Sequence, residues 1–312
     1  MKTIFIGGCD RSGTTMLGSM LGAYPGYLCT PESYFKFELF SHFERHKAEI
    51  ETFRDWLLSG NRLSNWGVNL REVEITAIRP SIESLLGHVL RCYGQKVGKA
   101  QFDVWIDHSP ANISYADQLF ELYPNAKIVH IVRDGRAVAA SLLKVDWGPN
   151  SILEAAQFWC RRIAAGLAAE LKWGAHKVIR IYYEDLLRNP EATLRELCER
   201  ADLRYCPSMP SGAGFKPEGN RSYLHSLVGQ APSKERINAW NQILSPREIE
   251  LFEWSAREML TYLGYQTDFG LNACAPSRAE RLRYWLRSIA LKPGHFITRT
   301  RGRLLPSLHT NR

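Results

Sequence analysis

No stretch of this 312-residue sequence is long and apolar enough to cross a bilayer as a helix; the run Ile163 to Ala169 contains Gly166 and is closed by Arg162 and Glu170. A transmembrane protein is excluded on that reading. Cysteine pairs at C-x-x-C spacing are also missing. The seven cysteines (Cys9, Cys29, Cys92, Cys160, Cys198, Cys206, Cys274) are odd in number and scattered, which argues against a disulfide framework and against a zinc site. A leader core is lacking as well, since Met1-Lys2-Thr3-Ile4-Phe5-Ile6 runs straight into Gly7-Gly8. That segment reads as a buried first strand, and the protein as cytoplasmic. Internal repeats and low-complexity tracts are absent, so solenoid, collagenous and disordered classes drop out.

What is present is an ordinary globular composition with an uneven charge. The net charge of +8 suggests nucleic acid at first sight. Residues 278–312, however, hold nine Lys or Arg and the single acid Glu280, so the rest of the chain has equal numbers of acids and bases. The basicity belongs to a tail, and no specific nucleic-acid partner is expected.

Short β-rich runs alternate with helical patterns, the signature of a parallel sheet flanked by helices, an α/β fold. Strands are predicted at Thr3 to Gly7, Val104 to Asp107, Lys127 to Val132 and Lys177 to Tyr182, each followed by a helix-start signal. The predicted helices are Thr15 to Ala23, Tyr115 to Tyr123, Asp134 to Leu143 and Leu194 to Ala201, the last after Asn189-Pro190. Apolar Phe35, Leu39 and Phe43 predict helices inserted over Tyr34 to Leu58, between the first two strands, covering the sheet edge where an acceptor would bind. Prolines and glycines make Cys206 to Gly219 a loop, and Ser245-Pro246-Arg247-Glu248 caps a helix running to Leu263. The expected organisation is one α/β domain over residues 1–270 and a basic tail over 271–312 with a short amphipathic helix.

The first strand ends in Gly7-Gly8-Cys9-Asp10-Arg11-Ser12-Gly13-Thr14-Thr15, which nearly spells the nucleotide phosphate loop G-x-x-x-x-G-K-[ST]. Gly8 and Gly13 keep the spacing and Thr15 supplies the hydroxyl, but Thr14 stands in the lysine's place. The loop still offers backbone N–H groups and a helix N-terminus for an anion, with Arg11 as its cation, and is poorly equipped for a triphosphate. A glycine-rich turn between strand and helix is also needed by any α/β fold, which is the bland alternative.

In these residues the chain resembles the sulfotransferase family, which moves a sulfuryl group from 3'-phosphoadenosine 5'-phosphosulfate (PAPS). Arg11-Ser12-Gly13-Thr14-Thr15 is similar to the family's 5'-phosphosulfate motif. Ile131-Val132-Arg133-Asp134-Gly135-Arg136-Ala137-Val138-Ala139-Ala140-Ser141 resembles its second motif, in which an arginine and a serine hold the 3'-phosphate; Arg133 and Ser141 stand there. A guanidinium at a strand end and a hydroxyl eight residues on can meet one phosphate, whereas alone Arg133 would read as a surface ion pair with Asp134 or Asp146. The resemblance extends to Tyr182-Tyr183-Glu184-Asp185-Leu186, where Tyr183 or a nearby aromatic is expected to pack on the adenine, and to Ser245 through Tyr265. It is greatest to tyrosylprotein sulfotransferases, where a glutamate 21 positions after the loop arginine is the general base; Pro25, Cys29 and Glu32 occupy that context here. Glu32 is otherwise a solvated loop carboxylate before a helix at Ser33. Where the family tends to carry a Lys-x-Pro element this chain reads Asp107-His108-Ser109-Pro110. His108 thus takes the cation's place, as a protonated cation, as a base itself, or as a plain strand-end residue. Ser222, Lys234 and Arg236 are candidates for a late phosphate contact.

The resemblance implies in-line sulfuryl transfer from PAPS to an acceptor hydroxyl, leaving adenosine 3',5'-bisphosphate. Arg11 with Ser12, Gly13, Thr14 and Thr15 would hold the 5' end, and no metal is expected, because arginine and backbone donors meet the departing phosphate. Peptide tyrosine, sugar, lipid and phenol acceptors all stay open. The alternatives are a small-molecule kinase of the P-loop class and a non-catalytic nucleotide- or polyanion-binding protein. In the tail, Leu282, Trp285, Leu286 and Ile289 form an apolar stripe beside Arg281, Arg283 and Arg287. Such a helix packs on its own domain, or lies on an anionic membrane surface and makes the enzyme peripheral there.

Overall fold

The computed structural model describes residues 1–38, 57, 63, 66–68, 82–215, 229 and 232–289. Its centre is a five-stranded, wholly parallel sheet in the order β2-β3-β1-β4-β5. The strands are β1 (Lys2–Gly8), β2 (Tyr27–Thr30), β3 (Val104–Asp107), β4 (Lys127–Val132) and β5 (Val178–Tyr182). In chain order the helices are α1 (Thr14–Leu21), α2 (Ile82–Lys96), α3 (Ala116–Leu122), α4 (Gly135–Leu142), α5 (Ile152–Trp173), α6 (Tyr183–Arg188), α7 (Pro190–Arg200), α8 (Pro246–Tyr262) and α9 (Arg278–Ile289). Among the described residues no helix is long and apolar enough to cross a membrane.

The four strands expected from the sequence form, within a residue or two of the expected ends. Two features differ. Tyr27–Thr30 is a fifth strand, paired with β3, and lies at the edge of the sheet. Four residues between Pro25 and Pro31 are too few to show a period, and only pairing with β3 makes them a strand. The insertion expected between the first two strands therefore begins after β2, and residues 39–56 lie outside the described residues. Helices α2 and α5 also went unread, although Leu85, Leu86, Val89, Leu90 and Tyr93 recur on one buried face of α2.

The chain divides into two compact units, Met1–Val132 with Ala165–Lys234 and Arg133–Ala164 with Glu235–Arg312. The first contains the sheet. Strand residues Phe5, Leu28, Trp105, Ile128 and Val178 pack with α2 and α3 in one core, where the Phe5 and Trp105 rings meet edge-on at 5.4 Å. Burying each such side chain contributes roughly 1.5–3 kcal/mol. At Gly7 the 3₁₀ turn Pro110–Tyr115 approaches so closely that a side chain would strike the Ile113 backbone. In the second unit Trp159 and Phe252 pack against Gly135, where an added Cβ would lie 2.5 Å from Phe252 Cζ and 2.6 Å from Trp159 Cδ2. Helix α8 begins with the expected capping box: the Ser245 backbone N–H donates to Glu248 Oε2 at 2.9 Å and the Glu248 N–H returns to Ser245 Oγ.

Candidate functional site

In a parallel sheet the strands' C-terminal ends carry the loops that can face a ligand. The residues singled out by sequence follow those ends one by one. Cys9 to Gly13 follow β1, Glu32 follows β2, His108 follows β3, Arg133 follows β4 and Tyr183 follows β5.

The loop after β1 is tightly wound. Arg11 has a left-handed backbone, φ 68°, and Gly13 follows with φ 96° as the residue before α1. Such a pair of turns aims successive N–H groups the same way, and a non-glycine residue held there is a strained position of the sort found at ligand clamps. The Ser12 N–H is used internally, donating to the Cys9 carbonyl at 3.1 Å. Ser12 Oγ is buried and has no hydrogen-bond partner among the described residues, which is costly unless a ligand supplies one. Thr14 and Thr15 are buried in the first turn of α1, and Arg11 is half-buried. The Tyr183 ring lies against Gly13, where a Cβ would stand 2.6 Å from Tyr183 Cδ2. Tyr183 is only 5% exposed and so buttresses the loop.

Beside this loop in the same unit sits a buried polar cluster that sequence reading missed. Asp107, the last residue of β3, is fully buried and meets Lys36 Nζ at 2.9 Å. Asp107 Oδ1 also accepts from the Ser109 N–H at 2.8 Å and Oγ at 2.7 Å, and Ser33 Oγ donates to Oδ2. Burial alone would raise this carboxyl's pKa, but the Lys36 ammonium and these donors hold it at about 2. Burial lowers the pKa of Lys36, and Asp107 opposes that shift. The only signal for the cluster was a lysine in an otherwise aromatic run, Tyr34-Phe35-Lys36-Phe37.

Glu32 is half-buried, next to Ser33, and its carbonyl accepts from Trp66 Nε1 at 3.4 Å. His108 is 2% exposed, packed over α1 at Gly18 and 5.1 Å from the Phe215 ring. Phe215 also lines a cavity of about 410 Å³, together with Pro25, Cys29, Lys99 and Ser211. Lys99 is spent there on backbone, donating to the Gly22 and Tyr27 carbonyls at 2.5 and 2.7 Å.

The second motif opens the second unit. Arg133 is half-buried and its carbonyl accepts from Trp159 Nε1 at 3.1 Å. Ser141 lies in the last turn of α4, also half-buried. Asp134 is the N-cap of α4, accepting from the Arg136 N–H at 2.9 Å. Its carboxylate also pairs with Arg136. Arg136 in turn reaches Glu253 Oε1 at 2.7 Å and the Gln266 carbonyl at 2.8 Å. Of the motif's two arginines, then, one is built into the interior and Arg133 stays half-buried. Lys234 and Arg236 share a short 3₁₀ turn, while Ser222 lies outside the described residues.

Residues 3–207 match the profile of the sulfotransferase family. The chain belongs to that family. The chain is 28% identical over 205 residues to protein-tyrosine sulfotransferase A of Caenorhabditis elegans, covering 64% of this chain and 50% of that protein. It is 27% identical over 228 residues to the protein-tyrosine sulfotransferase of Drosophila melanogaster, covering 70% and 42%. It thus spans about half the length of these relatives. Among solved structures, the sulfotransferase domain of the Synechococcus PCC 7002 olefin synthase superposes with a TM-score of 0.60 at 21% identity, over 85% of this chain and 95% of that one. That likeness establishes the fold, a parallel sheet flanked by helices.

Proposed function

We propose that this chain transfers a sulfuryl group from PAPS to the hydroxyl of a peptide tyrosine. The observation that carries the proposal is the loop after β1, left-handed at Arg11 and Gly13, with the buried Ser12 hydroxyl lacking a partner among the described residues. An oxyanion of the donor would satisfy that hydroxyl, and the donor thus fits the residues present. The absence of a lysine at Thr14 favours it over a triphosphate. Tyrosine is the acceptor that the names of the relatives favour.

In this reading Arg11 and the N-terminus of α1 hold the donor's 5' end and stabilise charge as it gathers on the leaving phosphate. Arg133 and Ser141 bind the 3'-phosphate. Tyr183 supports the loop by packing against Gly13. Glu32 accepts the tyrosine proton, while the sulfur–oxygen bond to phosphate breaks and a new one forms to the phenol oxygen. His108, buried where it packs on Gly18 and the Phe215 ring, is the second candidate for handling the acceptor's proton. Seven cysteines without a disulfide favour a reducing compartment, which supports a cytoplasmic enzyme. The exposed Leu282, Trp285 and Leu286 on α9, beside basic residues, favour peripheral contact with an anionic membrane.

Calorimetry with adenosine 3',5'-bisphosphate and ATP, followed by transfer from radiolabelled PAPS to a tyrosine peptide, tests the reading. Preference for the bisphosphate and label on the phenol support it. ATP binding with no transfer points to the kinase alternative. Bisphosphate binding without transfer to any hydroxyl leaves a non-catalytic binder. Cosedimentation with phosphatidylserine vesicles at low salt tests the membrane contact, which truncation after Ala275 removes.

A further inference from the structure

The cluster around Lys36 joins three separate pieces of chain at the ends of three strands. Lys36 Nζ donates to Asp107 Oδ2 at 2.9 Å, to Ser33 Oγ at 2.9 Å and, at 3.4 Å, to Ser109 Oγ. Directly across the gap, the Ser33 backbone N–H donates to Ser109 Oγ at 2.9 Å. Asn112 Nδ2 closes the third side, donating to the Ile6 carbonyl at 3.0 Å and to the Asp107 carbonyl at 3.1 Å. Ile6 belongs to β1, the strand that delivers the phosphate loop. All five side chains, Ser33, Lys36, Asp107, Ser109 and Asn112, are fully buried.

What these bonds hold is a matter of chain position. Ser33 is the neighbour of Glu32, and His108 lies between Asp107 and Ser109. The two residues read as handling the acceptor's proton are therefore attached, each by one peptide bond, to the two loops that the cluster ties together. A lysine placed here costs desolvation and rotamer entropy. A leucine of similar size would fill the space without that cost, but it could not bind hydroxyls on both loops. The ammonium is a point charge with three donors, suited to joining three oxygens that come from different segments.

We propose that Lys36 is a positioning residue for sulfuryl transfer: through Asp107, Ser33 and Ser109 it pins the β2 and β3 loops together, and so sets the place of Glu32 and His108 relative to the phosphate loop. The proposal rests on the sulfotransferase reading above. It does not make Lys36 the missing cation of the Lys-x-Pro element, because its ammonium is fully buried and engaged by Asp107. Proton transfer demands geometry within tenths of an ångström, whereas the donor is gripped elsewhere, at Arg11 and Arg133. Loosening the pin should therefore lower kcat and leave donor binding alone.

The test uses the double variant Lys36→Met/Asp107→Asn, which removes both charges at similar volume and leaves no buried charge unpaired. It is measured beside Ser109→Ala, which keeps the ion pair and removes the acceptor of the Ser33 N–H. Expected for the double variant is a kcat at least tenfold down, with the KM for PAPS and the affinity for adenosine 3',5'-bisphosphate within twofold of wild type. Ser109→Ala should show the same split, less severely. A double variant that keeps kcat within twofold overturns the proposal, as does one whose KM for PAPS rises as much as kcat falls. Amide exchange at Ser33 is read without turnover: it should quicken at least tenfold in both variants, and unchanged exchange overturns the pin. If the wild type transfers nothing from PAPS, the functional reading fails, and the Ser33 exchange still decides whether the pin exists.

Discussion

Asp107 at the end of β3 and Asp134 just beyond β4 each meet a buried cation, yet one partner is a lysine and the other an arginine. Lys36 spreads its donors over one carboxylate and two hydroxyls from different loops. Arg136 instead makes a two-point contact with Asp134, Nε to Oδ1 at 3.1 Å and Nη2 to Oδ2 at 2.8 Å, and adds Glu253. Glu253 further accepts the Asp268 and Phe269 N–H groups at 2.9 and 2.8 Å. The first arrangement ties loops that carry candidate chemistry, and the second fastens a helix start to the scaffold of its own unit. The difference follows from the side chains: an ammonium adapts to scattered oxygens, and a guanidinium imposes a plane.

The largest effect should come from removing the cation in each cluster. Arg136→Met strands two buried carboxylates and is expected to cost about 3–5 kcal/mol in urea unfolding. Lys36→Met strands one, so its loss should be the smaller of the two; an equal or greater loss would break the comparison. Next come the glycines that let each unit close. Gly166→Ala drives a methyl into the His130 ring in the first unit, and Gly135→Ala drives one into Phe252 and Trp159 in the second. Each should cost about 1–3 kcal/mol of stability by thermal unfolding.

Acid separates the clusters more gently. The folded Asp107 carboxyl lies at about 2, below the ordinary carboxyl value of 3.8. Because its folded pKa is depressed, its stabilisation is fully present above about pH 4 and is lost as pH falls toward 2. Wild type should thus lose on the order of 2 kcal/mol over that interval through this group, read by urea midpoints. The Lys36→Met/Asp107→Asn variant should show a shallower acid slope. The smallest effect belongs to an exposed pair: Arg195 and Glu191, 2.8 Å apart and more than half exposed, should yield under about 0.5 kcal/mol on Arg195→Ala. A loss near that of Lys36→Met would mean that burial is not what separates these ion pairs.

Much of the candidate site's geometry was legible beforehand because a strand–loop–helix is local. Seven consecutive residues from Cys9 to Thr15 contain the turn and the helix start, and Gly13 falls where the backbone turns left-handed before α1, although Arg11 takes that conformation without being a glycine. The helix caps at Ser245 and Asp134 were equally plain, since a cap is a contact within three residues. The edge strand Tyr27–Thr30 was not, being four residues long and dependent on β3 for every ladder bond. Nor was it visible which motif arginine would be buried, because Glu253 lies 117 residues beyond Arg136.

By itself, then, the amino-acid order determined the α/β class and the glycine-bearing loop between first strand and helix, and local spacing put Arg11 and Arg133 at strand ends, while Glu32 and His108 came through the family resemblance. Only the tertiary structure decided that β1 lies between β3 and β4 and that Tyr183 backs the loop at Gly13. It alone brought Lys36 to Asp107 across 71 positions of chain. The reason is physical: a turn or cap is specified by neighbours a few residues away, whereas a buried ion pair is worth its desolvation only once distant segments have already packed around it.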